Sequence, residues 1–357
     1  MSDNLSILLV LKDRTKYTKR FLNYLNYTRF PYPIIIADGG REQEIESLLR
    51  NRSNFKNLNY EYHHYGYDKT LDNFHEKMSL AVDKISTPLV CVMDNDDFVF
   101  QEGLQKSINF LKENHEYNST RGAIQLIEIS ENIHGRLNVG GNIYGKYLES
   151  IDSDSPLERL NMQNKYFHSN WHNVTKSSHI KACWKMINVS NPSNMRFTGQ
   201  MVDYVSIILG KSSRFTYPWI LHQQADRVEI DGKTLCSHFP TQTEWIKSSH
   251  WVENFNKMAE IVAACASETH DIPVADAIES FYESYTLKLP HLKNILNKEV
   301  TKCRKIGYNK KRVEKLRLVI SECDIQNMQQ IKDDHLLTFS TDEELSILKD
   351  FLSNFKV

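Results

Sequence analysis

The run Pro88-Leu89-Val90-Cys91-Val92-Met93-Asp94-Asn95-Asp96-Asp97-Phe98 decides how this chain is read. Its five apolar residues show no alternation, which marks a strand buried on both faces, as in the middle of a parallel sheet. The run then stops in a group of carboxylates. Ligands of open α/β sheets bind outside the carboxyl ends of the strands, where this group falls. If the extended geometry persists, Asp94 and Asp96 point to one side. Two carboxylates on one side are unfavourable unless a cation lies between them. Oxygen ligands suit Mg²⁺ or Mn²⁺, and Mg²⁺ is commonly shared between carboxylates and substrate phosphates. The plain alternative is an acidic, solvated turn.

The flanking sequence favours a site. Upstream, residues 5–11 predict a buried strand and 17–27 a helix. A second strand follows over 33–37, ending at Asp38-Gly39-Gly40. The pattern continues with a helix over 42–49, a strand over 58–62 and a helix over 72–85. Strands alternating with helices predict a doubly wound, mostly parallel α/β sheet. Asp38 and the Asp94–Asp97 group then face one crevice. A carboxylate followed by glycines can accept hydrogen bonds from a ribose or base while letting the backbone approach closely. The first turn holds neither GxGxxG nor GxxxxGK[ST], which argues against dinucleotide oxidoreductases and P-loop enzymes.

Downstream, residues 123–129 predict a strand and 131–145 a polar loop. The stretch 164–173 is rich in aromatic and amide groups, the chemistry of a concave sugar site, and Trp171 and His172 are its acceptor-side candidates. A packed strand edge explains the same residues. His63 and His64, beside tyrosines after the third strand, read as solvated or packed. From about residue 243 the pattern is helical only, over 245–267, 273–288, 291–303, 310–323 and 342–355. This predicts a C-terminal helical appendage. The basic residues of 302–320, interleaved with Val313, Leu316, Val319 and Ile320, could lie on an anionic membrane surface. A solvated face on a packed helix is the simpler reading.

The 357 residues suffice for two domains, and a net charge of -1 gives no general attraction to nucleic acid. Six cysteines are scattered without CxxC or metal-type spacing, which fits reduced, buried thiols. No secretory signal pattern opens the chain, and no apolar run approaches the roughly 20 residues that span a bilayer. A cytoplasmic protein, at most peripheral to the membrane, is expected.

These residues resemble the GT-A glycosyltransferases, in particular the large inverting group that includes many bacterial polysaccharide enzymes. The resemblance is carried by Leu9-Val10-Leu11-Lys12-Asp13-Arg14, Ile35-Ile36-Ala37-Asp38-Gly39, Tyr67-Asp68 and the DxD-type Asp94-Asn95-Asp96-Asp97-Phe98. It implies a Rossmann-like domain over 1–242, with a nucleotide-sugar half (1–100) and an acceptor and catalytic half (101–242), followed by helices over 243–357. It implies that Asp38, Asp68, Asp94 and Asn95 contact the nucleotide sugar and that Asp96 ligates Mn²⁺ or Mg²⁺. His222 would complete the metal shell, with His238 as its alternative, and Arg227 could neutralise the departing diphosphate. The segment 197–204 is similar to the family's acidic motif opening a helix. Val202 stands where the first acid is usual, so only Asp203 carries over, as general base.

The reading is a metal-dependent, inverting glycosyltransferase that moves a sugar from a nucleotide diphosphate to a hydroxyl of a glycan or lipid-linked acceptor. Bacterial surface polysaccharide synthesis is the expected setting. Two alternatives stand beside it. A sugar-nucleotide-binding scaffold without a base is kept open by Val202. An aspartate-nucleophile phosphohydrolase also begins at a strand-borne DxD, but Phe98 and the two preceding strands count against it.

Overall fold

The computed structural model describes residues 3–130, 136–142, 149–166, 169–223, 229–230, 233–234, 242–326, 329–333 and 340–355. Arg227 and His238 lie outside the described residues. The first half alternates as its periodicity predicts: β1 (Leu5–Leu11), α1 (Thr15–Tyr27), β2 (Ile34–Asp38), α2 (Gln43–Arg50), β3 (Tyr60–His64), α3 (Leu71–Ala81) and β4 (Leu89–Met93). These four strands run parallel in the order β3-β2-β1-β4. The third strand starts two residues later than expected and includes His63 and His64, so these histidines sit within the sheet and not after it.

The second half turns the sheet from purely parallel to mixed. It comprises β5 (Phe98–Val99), α4 (Gln101–Glu113), β6 (Tyr117–Ser130), β7 (Arg136–Asn142), α5 (Pro156–Tyr166), β8 (Val174–Lys176), α6 (Ser177–Ser190), α7 (Met195–Leu209) and β9 (Lys211–Gln223). β8 enters antiparallel between β4 and β6, and β9 lies parallel to β6. β7, in the stretch expected to be a loop, pairs antiparallel with β6. Its alternation is confined to Arg136-Leu137-Asn138-Val139 before two glycines, too short to announce a strand; the pairing with β6 makes it one. A small hairpin, β10 (Glu229–Ile230) and β11 (Lys233–Thr234), follows. The remaining chain is helical: α8 (Gln242–Ile246), α9 (Trp251–His270), α10 (Val274–Lys288), α11 (Lys293–Ile306), α12 (Lys310–Glu322) and α13 (Thr341–Asn354).

β4 shows why the sheet is covered on both sides. Leu89, Cys91 and Met93 pack with α1, α2, α4 and α13, whereas Val90 and Val92 pack with α3, α6, α7 and α9 through α12. All five residues are buried, as their unbroken apolar run demands. The C-terminal helices therefore supply much of one face of the core. Of Val313, Leu316, Val319 and Ile320, the apolar stripe considered for a membrane surface, Val319 is half-buried and the other three are buried in that core. Several basic residues of the stretch pair with protein carboxylates: Lys302 with Glu299 and Arg312 with Glu260 at 2.7 Å, Arg317 with Glu268 at 2.9 Å, and Arg304 with Glu279. No helix among the described residues is long and apolar enough to cross a membrane. Cys91, Cys183, Cys265, Cys303 and Cys323 are free thiols, and Cys236 lies outside the described residues.

α13 closes the other face by an electrostatic clasp. The first residue of α4 follows Phe100, which cannot cap a helix. Glu344 of α13 takes over, accepting from Gln101 N at 2.5 Å and Glu102 N at 3.1 Å. A carboxylate at a helix N-terminus satisfies orphan amides and the helix dipole together.

Candidate active site

The parallel strands deliver their carboxyl ends to one rim. After β1 the chain turns through Asp13 and Arg14, both left-handed (φ 52° and 64°). Such backbone costs a non-glycine residue about 1–2 kcal/mol and is held here by contacts on two sides. Asp13 Oδ1 accepts from Arg41 N at 2.8 Å, beyond the end of β2. The guanidinium of Arg14 donates to Asp96 Oδ2 at 2.8 Å, beyond the end of β4. One turn thus joins the Asp38 and Asp96 neighbourhoods.

Asp38 is buried and fully engaged, accepting from Gly40 N at 2.7 Å and from the Tyr62 hydroxyl at 2.8 Å. Asp68 lies behind it, 2.5 Å from Lys77 Nζ, with both side chains out of solvent. Asp68 N also donates to Gly39 O at 2.8 Å. A Cβ on Gly39 would stand 2.1 Å from the Asp68 carboxylate, so the glycine is a matter of space. Asn95, expected at the nucleotide, turns inward and donates to Thr18 Oγ1 at 2.8 Å. In this structure Asp68 and Asn95 shape the rim from behind it.

The strand geometry ends at Met93, and Asp94 to Asp97 form a turn. The extended geometry behind the expected side-by-side placement of Asp94 and Asp96 does not persist: Asp96 pairs with Arg14 and Asp94 faces His172, while the two carboxylates stay close enough to repel each other. Asp97 turns into the protein and is wholly buried. Its Oδ1 is 2.8 Å from His222 Nδ1 at the end of β9, and its Oδ2 is 3.6 Å from His172 Nε2. His172 arrives on the loop entering β8, whose register against β4 sets it beside the turn. Its Nδ1 lies 3.2 Å from Val92 O, so Nδ1 carries the proton and Nε2 presents a lone pair.

Asp97 Oδ1 takes hydrogen bonds from His222 Nδ1 and from Gln223 N, which leaves Oδ2 as the acceptor without a donor. Asp97 Oδ2 is buried with no hydrogen-bond partner, and His172 Nε2 stands 3.7 Å from Asp94 Oδ2 as well. Burial holds the His172 imidazole below its usual range, in the neutral form a metal binds. Burial, followed by the neighbouring Asp96, pushes Asp94 up to about 6. The hydrogen bond to Asp97 lifts His222 to about 9. Asp97, His172 and His222 each offer an atom within 4.8 Å of the others, close enough to hold a metal ion once His222 gives up the proton it shares with Asp97. One oxygen and two imidazole ligands fit Mn²⁺ better than Mg²⁺, which prefers oxygen throughout.

The sequence points to His222 for this role, but with Asp96 as its fellow ligand and His172 at the acceptor. It assigns Asp97 no role of its own. The fourth residue of Asp94-Asn95-Asp96-Asp97 could have been suspected from composition, but its inward turn could not. Trp171, beside His172, is half-buried and packs edge-on against Trp184 at 5.6 Å. Asp203 lies well inside α7, eight residues past the helix start that Asn194 caps, and not at an opening turn. Its Oδ1 accepts from Asn170 N at 2.6 Å, two residues before His172. Arg214 holds the same Asn170 through its side-chain oxygen at 2.9 Å. Burial pushes Asp203 up to about 7, opposed by the Asn170 amide and by Lys288 of α10.

This mixed, mostly parallel sheet flanked by helices, with a helical C-terminal region, is a fold shared with solved glycosyltransferases. TarS from S. aureus aligns with 90% of the chain at 12% identity and a TM-score of 0.51; the chain spans 53% of that TarS chain. Residues 1–349 of S. aureus TarS, solved with UDP-GlcNAc, align over 90% of this chain and 88% of that one, also at 12% identity and 0.51. No protein-family model and no curated protein sequence matches.

Proposed function

We propose that this protein is a metal-dependent glycosyltransferase that moves a sugar from a nucleotide diphosphate to a hydroxyl of a glycan or lipid-linked acceptor. The observation that carries the reading is the convergence of Asp97, His172 and His222 on one point at the carboxyl ends of the strands. The neighbour with UDP-GlcNAc shares this fold, which supports a nucleotide-sugar donor. Asp97, His172 and His222 would hold Mn²⁺, with Asp94 and Asp96 at its edge. When bound, a divalent ion offsets the charge that develops on the leaving diphosphate.

The chain's own residues supply the rest. Arg14, fixed against Asp96, places a permanent cation at the rim where a diphosphate would lie. Asp38 and Tyr62 form one wall for the base and ribose. Trp171 offers an apolar edge for a sugar ring on the acceptor side. Asp203, raised toward neutrality, is suited by its pKa to take up the proton of an attacking hydroxyl, and inversion follows if it does so. Its bond to Asn170 gives it a second task, steadying the loop that carries His172. Synthesis of a bacterial surface polysaccharide is the setting we infer from the sequence resemblance.

The test is donor hydrolysis and transfer measured over a panel of sugar nucleotides, with Mn²⁺, with Mg²⁺ and with chelator. Release of nucleoside diphosphate that needs Mn²⁺ and disappears in His222→Ala is expected. Full activity in chelator, or no binding of any sugar nucleotide, overturns the proposal.

A further inference from the structure

A cleft of about 750 Å³ opens at the other end of β4 from the candidate active site. Its wall includes Pro88 and Leu89, the start of the strand, so five residues of extended chain, about 16 Å, separate it from the Asp94 turn. Leu111 and Ile331 extend the apolar side. The other side is the start of α6. There Lys176 is the N-cap and offers no side-chain acceptor. Ser177 N donates to Pro88 O at 2.9 Å, while the amides of Ser178 and His179 have no acceptor within the helix.

Two cations flank this helix start. Lys176 Nζ donates to His115 O at 2.6 Å and Lys181 Nζ to Ile85 O at 2.7 Å. Each keeps further protons, and no described carboxylate pairs with either. Lys112, also on the wall, pairs with Asp333, and Asp324 on the rim is exposed to water. The decisive feature is Ser177. Only 5% of it is exposed, it lines the cleft, and its Oγ has no hydrogen-bond partner. A buried hydroxyl left unbonded is unfavourable, and an oxyanion would satisfy it together with the free amides. Burial also brings Lys176 down to about 8, a loss that a bound anion would reverse.

We propose that this cleft binds a phosphate-bearing small molecule, its phosphate held by Ser177, Lys176, Lys181 and the amides at the start of α6. The volume accommodates a sugar phosphate, with Leu89, Leu111 and Ile331 against the ring. The site is independent of the donor site and does not rest on its assignment.

The experiment follows thermal stability and calorimetric binding of the full chain at constant ionic strength, titrating inorganic phosphate and then a hexose 1-phosphate. A saturable stabilisation by either is expected. Inorganic phosphate as effective as the ester means that phosphate alone is recognised; a tighter ester means that the apolar wall contributes. Lys181→Met should weaken binding about tenfold and Ser177→Ala several-fold, through loss of charge-assisted and neutral hydrogen bonds respectively. Ser177→Ala breaks no bond in the free protein and removes an unbonded buried hydroxyl, so its unliganded melting temperature should be unchanged or slightly raised. Asp97→Asn should keep the phosphate response, which separates this cleft from the candidate active site. No saturable response, a response that both cleft variants retain in full, or one that Asp97→Asn abolishes overturns the proposal.

Discussion

Replacing Asp97 by asparagine tests the candidate metal centre with little change of shape. Asn Oδ1 can still accept from Gln223 N, which lies 3.3 Å from Asp97 Oδ1, so the turn should persist. What disappears is the one anionic ligand among the three groups that converge within 4.8 Å. At a free Mn²⁺ concentration of 100 times the dissociation constant, a site in the folded protein alone stabilises by about 2.7 kcal/mol. A chain of 357 residues unfolds with an entropy of about 0.75 kcal/mol/K, so the wild-type melting temperature should rise by about 3.6 °C. If the missing carboxylate weakens the site a hundredfold, the same Mn²⁺ leaves about 0.4 kcal/mol, or half a degree. The assay is a thermal melt with and without Mn²⁺, repeated with Mg²⁺, for which the imidazole-rich set predicts a smaller shift. A Mn²⁺ response of equal size in wild type and Asp97→Asn would refute the metal assignment.

Further expectations concern the rim, the loop and the clasp. Gly39→Ala drives a methyl to 2.1 Å from the Asp68 carboxylate, which Lys77 pins. Overpacking of that kind costs about 3 kcal/mol, and an unchanged denaturation midpoint would contradict the close packing. Asp203→Asn keeps an acceptor for Asn170 N while removing the base, whereas Asp203→Ala removes both. A general base predicts a collapse of kcat in both variants with donor affinity kept in Asp203→Asn. Near-normal turnover in Asp203→Asn would leave the residue a positioning role only. Glu344 is raised from 4.5 to about 7 by burial, so the folded state holds its proton more tightly than the unfolded chain does. That contribution is complete below about pH 4.5 and is lost as pH rises through 7, at most about 3 kcal/mol. Glu344→Gln should flatten the stability profile between pH 5 and 8, measured by denaturant unfolding; an unaltered slope would count against the linkage.

The order of strands and helices up to β4 was legible because local signals agreed with the global fold. Unbroken apolar runs can be stable only where helices cover both faces, and Leu89 to Met93 divide between two cores as such a run requires. The carboxyl-end acids were legible for the same reason, since the strand that carries them had a recognisable end. The short strand β8 was not legible, because three residues carry too little periodicity to read. It exists through its ladders to β4 and β6. β7 was hidden by its polar residues and glycines and exists through its pairing with β6, and the start of α7, upstream of Asp203, was not legible either.

By itself the sequence determined the parallel half of the sheet, the rim on which acids gather, and a helical C-terminal region, since each is written in residues close along the chain. Tertiary structure alone decided which of those acids meet. Asp97, His172 and His222 come from three separate segments, and only the antiparallel entry of β8 beside β4 and the length of β9 bring them together. Ligand geometry depends on where chains from different places cross, and no local pattern carries that information.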